Sequence, residues 1–403
     1  MSAQRRTEPA ATVENRLRTI RTSRALSQGA LATMAGITRQ AVYAIESDQY
    51  LPTTGVALRL AEALNCRVED LFALMAAGEE LEGELIGPVA RSQAPSVRVK
   101  VARVGDRVVV RPVAQLGEVL NFAVAADGLI SPERPSGGSS RGVKRVRVRL
   151  LRDRREMERA IVVAGCDPAI FLAGDHLRRR LEKATVVGWT MGSRAALEAF
   201  KRQEVHMAGL HLVDARSGEC NLPYLRRHLR SQDVTVVTFA SWEQGLMVQP
   251  GNPKALRGIE DLARKDIVLI NREEGAGARL LLDQRLTALG IKPQQVRGYG
   301  RIAASHLEVA RLIAEGQADV GIGVRSTAQL LGLEFLPLQE ERYDLVIPAP
   351  YLSSHSGITS FLDMIVSRPF RSELEALGGY DTRETGKVRE LWGAHRRIGD
   401  EGL

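Results

Sequence analysis

The chain has 403 residues, more than one ordinary domain holds, so two or three domains are expected. Hydrophobic residues make up 44% of it, which excludes wholesale disorder, and the net charge of +8 with a pI near 9.6 suits a polyanionic partner without proving one. The cysteines, Cys66, Cys166 and Cys220, form neither a zinc pattern nor an even disulfide framework. The Arg-rich N-terminus lacks the apolar segment of a signal peptide, and no run approaches the roughly 18 apolar residues of a membrane helix, so a cytoplasmic protein is expected.

Residues 1–12 read as a loose polar arm, and from 13 to 75 the apolar period is helical. Ser27 is placed to cap a helix carrying Leu31, Ala32 and Ala35 on one face. Gly36 stands where a left-handed residue ends a helix cheaply, Ile37 is the buried turn residue, and Thr38 caps a second helix with Val42 and Ile45 inward. Arg39, Gln40 and Tyr43 then face outward. Helix, short Gly-containing turn and helix make a helix-turn-helix, and outward Arg and Gln can each bind a guanine or adenine edge through two hydrogen bonds.

Leu26-Ser27-Gln28, Leu31-Ala32, Ala35-Gly36-Ile37, Ile45-Glu46, Pro52, Leu60-Ala61-Glu62-Ala63-Leu64 and Leu71-Phe72 carry a resemblance over residues 13–75. The segment resembles the phage-repressor/Cro-type (XRE) DNA-binding family, with its five-helix module. The resemblance implies that Gln28 touches phosphate and that Thr38, Arg39, Gln40 and Tyr43 face the major groove.

Residues 76–159 read as a linker and a β-rich segment. Val97, Val99 and Val101 alternate with Arg98 and Lys100, Gly105-Asp106 turns, and Val108–Val113 returns as a hairpin. Residues 131–142, rich in Gly and Pro, read as a flexible loop. Val146, Val148 and Leu150 alternate with Arg145, Arg147 and Arg149, a basic strand face that reads as a solvated edge rather than a DNA surface.

From 160 short apolar runs alternate with amphipathic helices, which predicts an α/β domain with a largely parallel sheet. Strands are expected at Ile161–Ala164, Ala184–Trp189, Val205–Leu212 and Val234–Phe239, then at Asp266–Ile270, Ala318–Ile322, Glu334–Pro337 and Tyr343–Ile347. The stretches 244–253, 259–263, Asn271-Arg272, 275–279, 316–323 and 377–381 make residues 160–385 resemble a type II periplasmic-binding-protein fold, most of all its molybdate-binding branch. That resemblance implies a two-lobed clamp, lobe 1 at about 160–245 and 340–385, lobe 2 at about 250–335, with hinge crossings near 238–250 and 334–344. The fold class expected for the chain is therefore α + α/β.

Four segments set a strand end or Gly-rich loop against a helix start, where free amides and the helix dipole favour anions. They contain Cys166 and Asp167; Thr190, Gly192 and Ser193; Asn221; and Asn271, Arg272, Gly275, Gly277 and Arg279, with Arg325 adding charge. His211 reads equally as a ligand donor or a structural histidine. Cys166 has no base beside it in the sequence, so no catalytic residue is assigned, and no metal or cofactor site is read. The expectation is a DNA-binding regulator whose clamp senses a small anion such as molybdate or tungstate, acting on double-stranded operator DNA as a homodimer or larger homo-oligomer. A DNA-tethered enzyme and a clamp that only oligomerises are the alternatives.

Overall fold

A computed structural model describes residues 13–74, 80–89, 96–116, 124–131, 144–180, 185–229 and 232–392. The expected arm at 1–12 and nearly all of the loop at 131–142 lie outside the described residues. The chain divides into two compact units between Glu80 and Leu81.

The N-terminal unit packs α1 (Leu17–Ser23), α2 (Gln28–Ala35), α3 (Arg39–Glu46), α4 (Thr54–Ala63) and α5 (Val68–Leu71) around Leu17, Leu31, Val42, Ile45, Leu60, Leu64 and Leu71. A short antiparallel pair, β1 (Val13–Asn15) with β2 (Phe72–Leu74), ties its two ends together. The caps are where side-chain chemistry puts them. Ser27 and Thr38 accept from the amides of Ala30 and Ala41, each at 3.0 Å, and Gly36 closes α2 at φ 63°, a backbone region costly for residues with a Cβ.

The second unit opens with a closed barrel of β3 (Glu80–Leu85), β4 (Val97–Val104), β5 (Arg107–Pro112), β6 (Gly128–Ile130) and β7 (Arg145–Leu150), in the order β3-β5-β4-β6-β7. The expected hairpin is β4–β5, and β7 alternates exposed Arg with buried Val and Leu. Closure leaves the apolar alternate residues facing one interior of Leu85, Val99, Val101, Val110, Ile130, Val146 and Val148. Another barrel face, with Ala102, Val104, Val109 and Val113, joins the core of Val187, Trp189, Phe200 and Val205 in the clamp.

The clamp is one ten-stranded sheet. β8 (Ile161–Gly165), β9 (Val186–Thr190) and β10 (Met207–Leu210) are parallel on one side; β12 (Leu269–Arg272), β13 (Ile302–Ala303) and β14 (Val320–Val324) are parallel on the other. Two long antiparallel strands, β11 (Val234–Val248) and β15 (Glu334–Pro348), run through both sides and join the lobes, with β16 (Tyr380–Asp381) and β17 (Val388–Trp392) added along β11. The two short strands expected at Glu334–Pro337 and Tyr343–Ile347 are therefore one. The polar run Gln339-Glu340-Glu341-Arg342 breaks the apolar pattern yet stays in register with Ser241–Gln244 of β11. Separate cores flank the crossing, one around Phe239, Phe361 and Phe370 and one around Leu246, Leu262, Leu282 and Ile322.

His206 locks barrel to clamp. Its Nδ1 accepts from the Val162 amide at 3.0 Å, and its Nε2 donates to the Arg103 carbonyl at 2.9 Å. Burial, then the neighbouring His355, push its pKa down to about 3, against the opposing pull of the Arg103 carbonyl. The unfolded chain takes up this proton near pH 6.5 and the folded chain does not, so stability falls as pH drops from 6.5 towards 3, by at most about 1.4 kcal/mol per pH unit. His206→Gln is expected to be less stable at neutral pH but to show a shallower slope in that window. Urea unfolding at several pH values checks it, and an unchanged slope counts against His206.

Candidate functional site

On the N-terminal unit the caps fix which way α3 faces. Val42 and Ile45 enter the core, so Thr38, Arg39, Gln40 and Tyr43 are left on the outer side, all exposed, Tyr43 at 55%. An Arg and a Gln one residue apart at the start of an exposed helix have the reach and donor geometry to bind base edges in a major groove. Gln28 opens α2, and its side-chain amide donates to Glu46 Oε2 at 2.8 Å, which holds it at the α1–α3 junction.

On the clamp, strand ends from both lobes converge on His211, just beyond β10. Cys166 follows β8, and the start of the helix His306–Ala314 supplies His306 from the opposite lobe. Ligand atoms of Cys166, His211 and His306 all lie within 4.8 Å of one another, and all three residues are buried. Trp242 packs edge-on to His211 at 5.0 Å, and Tyr343 stacks tilted on Trp242 at 4.9 Å. Glu341 Oε2 lies 2.8 Å from His211 Nδ1 and accepts from Gln244 Nε2 at 2.9 Å. Arg272, 1% exposed, is bidentate to Glu273 at 2.8 Å for both bonds.

Several buried polar atoms in this chamber find no hydrogen-bond partner among the described residues. They are His211 Nε2, both ring nitrogens of His306, Trp242 Nε1, Arg272 Nη1, Gln244 Oε1 and Asp167 Oδ2. Leaving such groups unpaired costs about 1–3 kcal/mol each, which makes this chamber the candidate site for a polar ligand. Burial disfavours charge on His211, but the Cys166 sulfur and the Glu341 carboxylate outweigh it and push the imidazole up to about 10. Burial, less the bonds from the Ala169 amide and the Tyr380 hydroxyl, pushes Asp167 up to about 6. Trp242 and Tyr380 also line an open pocket of 460 Å³ between the hinge strands and Gly379–Arg383.

The other expected site residues divide into three groups. Gly192 and Gly277 permit close approach of the lobes. A Cβ on Gly277 would lie 2.3 Å from His211, and one on Gly192 would lie 2.8 Å from the Glu273 carboxylate. Gly275, at φ 85°, accepts from the Arg194 amide at 3.3 Å, and Thr190 ends β9, half-buried.

A second group makes hydrogen bonds within the fold. Ser193 Oγ accepts from the His211 amide at 3.1 Å and so positions the imidazole from behind. Asn221 accepts from the Leu212 amide at 2.7 Å and donates to Asp344 at 2.8 Å and the Arg342 carbonyl at 3.1 Å. Asn271 donates to the Tyr299 carbonyl at 3.1 Å and accepts from the Arg272 amide at 2.9 Å. The third group is cationic but paired. Arg279 reaches Asp283 at 3.2 Å and lies 4.0 Å over the Tyr299 ring, whereas Arg325 is ion-paired with Glu243 at the hinge and stacks on Phe335.

Sequence reasoning singled out none of His306, Trp242, Gln244, Glu341 and Tyr343 and found no partner for Cys166, whereas the fold brings a His211 ring nitrogen within 4.8 Å of its sulfur. Each missed residue reads alone as ordinary core or strand. The one available signal was Ser305-His306 at a helix start, where Ser305 caps by accepting from the Glu308 amide at 3.0 Å.

A family model described as helix-turn-helix matches residues 17–71, and one described as PBP superfamily domain matches residues 174–366. The uncharacterized protein YvgK of Bacillus subtilis is 35% identical over 228 residues, 57% of this chain and 73% of that protein. An uncharacterized Clostridium pasteurianum protein from the 5' region of a 2Fe-2S ferredoxin gene is 44% identical over 110 residues, 27% of this chain and 96% of its own. The uncharacterized HTH-type transcriptional regulator YgzD of B. subtilis is 36% identical over 62 residues, 15% of this chain and 94% of its own. Among solved structures, an ABC-type phosphate transport receptor from Vibrio cholerae aligns at 13% identity and TM-score 0.38 over 55% of this chain and 99% of that one. The effector binding domain of QuiR with shikimate aligns at 15% identity and TM-score 0.38, covering 51% and 94%. No helix among the described residues is long and apolar enough to cross a membrane.

Proposed function

We propose that this chain, which belongs to the helix-turn-helix family by its N-terminal module, to the family of YvgK, and to the PBP superfamily by its C-terminal domain, is a one-component transcriptional regulator whose clamp senses a small ligand. The observation that carries the sensing half is the set of unpartnered polar atoms buried where the two lobes meet. Closing the lobes on a ligand would pair them, and that free-energy difference is what a ligand needs to shift a two-state clamp. Arg272 Nη1 and Trp242 Nε1 are donors only, which supports an anion, with molybdate and tungstate the first to test. Arg279, Arg325 and Arg272 are all ion-paired, but Arg272 keeps Nη1 buried and unpartnered among the described residues, which supports it as the cation that meets a ligand.

In the DNA-binding half, Arg39 and Gln40 read bases of a two-fold operator bound by a homodimer, and Gln28 positions the backbone. Arg39→Ala and Gln40→Ala should each cost about 1–3 kcal/mol on the cognate site and relax preference at one base pair, while Gln28→Ala weakens all sequences alike. Binding-site selection followed by titration of cognate and random duplexes measures this. Equal weakening of both by Arg39→Ala removes its base-reading role. Operator titrations with and without molybdate, tungstate, sulfate and phosphate test the sensor, and a clamp that no small ligand stabilises would leave only an oligomerising role.

A further inference from the structure

The geometry points to a transition-metal site in the clamp: Cys166, His211 and His306 together bind one thiolate- and imidazole-preferring divalent ion, with Zn²⁺ the expected occupant. This rests on the same chamber that the sensor reading uses, and names a ligand class for it. The donor set is one sulfur and two imidazoles, the mixture that Zn²⁺ favours over the oxygen-seeking Mg²⁺ and Ca²⁺. Their ligand atoms lie within 4.8 Å of one another. Tetrahedral bonds of about 2.0–2.3 Å would draw them roughly an ångström closer, within reach of small side-chain rotations.

Two independent features mark these residues as ligands rather than as a chance cluster. His306 is 1% exposed, and both its ring nitrogens lack a partner among the described residues. A structural histidine buried to that extent ordinarily bonds at least one of them. His211 has Nδ1 against the Glu341 carboxylate at 2.8 Å and Nε2 unpartnered, with Gln244 bracing the same carboxylate at 2.9 Å. A carboxylate behind one ring nitrogen is how a metal-bound imidazole is oriented, with the other nitrogen presented to the ion.

The charges also close. A dication beside a Cys166 thiolate and the Glu341 carboxylate is neutral overall, so burying it avoids the penalty of an isolated ion. On binding, any proton on the Cys166 sulfur and on His211 Nε2 leaves for solvent, so both enter the site deprotonated. Three protein ligands leave a fourth position for water or for the ligand of the clamp. Cys166 and His211 come from one lobe and His306 from the other, so the ion would fasten the lobes together.

Titrating tag-free, metal-stripped full-length protein with Co²⁺ tests this. A single site per chain with an intense thiolate-to-cobalt charge-transfer band is expected, and Zn²⁺ should displace the cobalt. Cys166→Ser should abolish that band, His306→Ala should weaken binding by at least tenfold, and Glu341→Gln by about 10–100-fold. Circular dichroism confirms that each variant is folded, and His306→Gln serves if the alanine variant is not. Absence of the band in the parent protein, or its persistence in folded Cys166→Ser, overturns the metal site. If Co²⁺ fails to bind while an oxyanion shifts the melting temperature, the metal site falls and the sensor reading stands. If Co²⁺ binds as expected while neither Zn²⁺ nor any oxyanion alters operator binding, the metal site stands and the sensor reading falls.

Discussion

Arg21→Ala is expected to unfold the N-terminal module near physiological temperature and to abolish operator binding while the clamp stays folded. Arg21 is buried, and its guanidinium makes two bonds to Glu46, at 2.5 and 3.0 Å, and a third to the Leu26 carbonyl at 2.7 Å. One side chain thus joins α1, the α1–α2 loop and the end of α3. Burial opposes the Glu46 charge, but the bonds from Arg21 and Gln28 more than compensate and hold its carboxyl below the usual range. Removing the cation strands that carboxylate at 2% side-chain exposure. Breaking a buried pair in this way costs about 3–5 kcal/mol, much of what a module this small can have in total. Arg21→Lys should recover part of the loss, because a single ammonium cannot make the two-pronged contact. The tryptophans, Trp189, Trp242 and Trp392, all lie in the second unit. Tryptophan fluorescence should therefore report an unchanged clamp transition while the helical circular dichroism loses an early one. A single unshifted transition by both probes would show that Arg21 is dispensable.

Gly165→Ala is expected to destabilise the clamp strongly and to be rescued by Tyr343→Phe. Tyr343 is fully buried, and its hydroxyl occupies the space beside Gly165 and Gly209. A Cβ on Gly165 would lie 2.0 Å from that oxygen, with the next contacts at 3.3 Å. Overpacking of this kind costs about 1–3 kcal/mol, and more where the neighbour cannot move. Deleting the hydroxyl removes the worst contact, so the double variant should regain most of the loss, a coupling of about 1–3 kcal/mol. Gly209→Ala is the control. Its Cβ would also lie 2.3 and 2.6 Å from ring carbons of Tyr343, which Tyr343→Phe leaves in place, so no rescue is expected. Urea unfolding followed by tryptophan fluorescence gives all five stabilities. Rescue of both glycine variants, or of neither, would contradict this account of the hydroxyl.

The helix-turn-helix was legible because everything that defines it is local. Ser27, Gly36 and Thr38 act on amides three residues away or on their own φ, and the inward and outward positions of α3 follow from a 3.6-residue period. The clamp was legible at the level of strand and helix alternation for the same reason. Its hinge was less so, because a strand crossing between lobes carries polar residues where it passes the chamber, and Glu340 and Glu341 look like a loop until Glu243 and Trp242 of β11 are set opposite them.

By itself, then, the sequence determined the two kinds of domain and the caps and exposed face of α3, since each depends on residues within a turn or a strand of one another. Only the tertiary structure decided which of the candidate site groups already have partners within the fold and which do not. Ser193, Asn221 and Asn271 read as ligand donors, and folding brings them partners of their own: Ser193 accepts from the His211 amide, Asn221 from the Leu212 amide, and Asn271 donates to the Tyr299 carbonyl. His306 and Trp242 drew no reading from the sequence, yet among the described residues their buried ring nitrogens have no partner. Cys166, His211 and His306 are remote in the chain, the first two just beyond strand ends and the third at a helix start, so their meeting is fixed by the order of strands in the sheet and the crossing of β11 and β15, which no local period encodes.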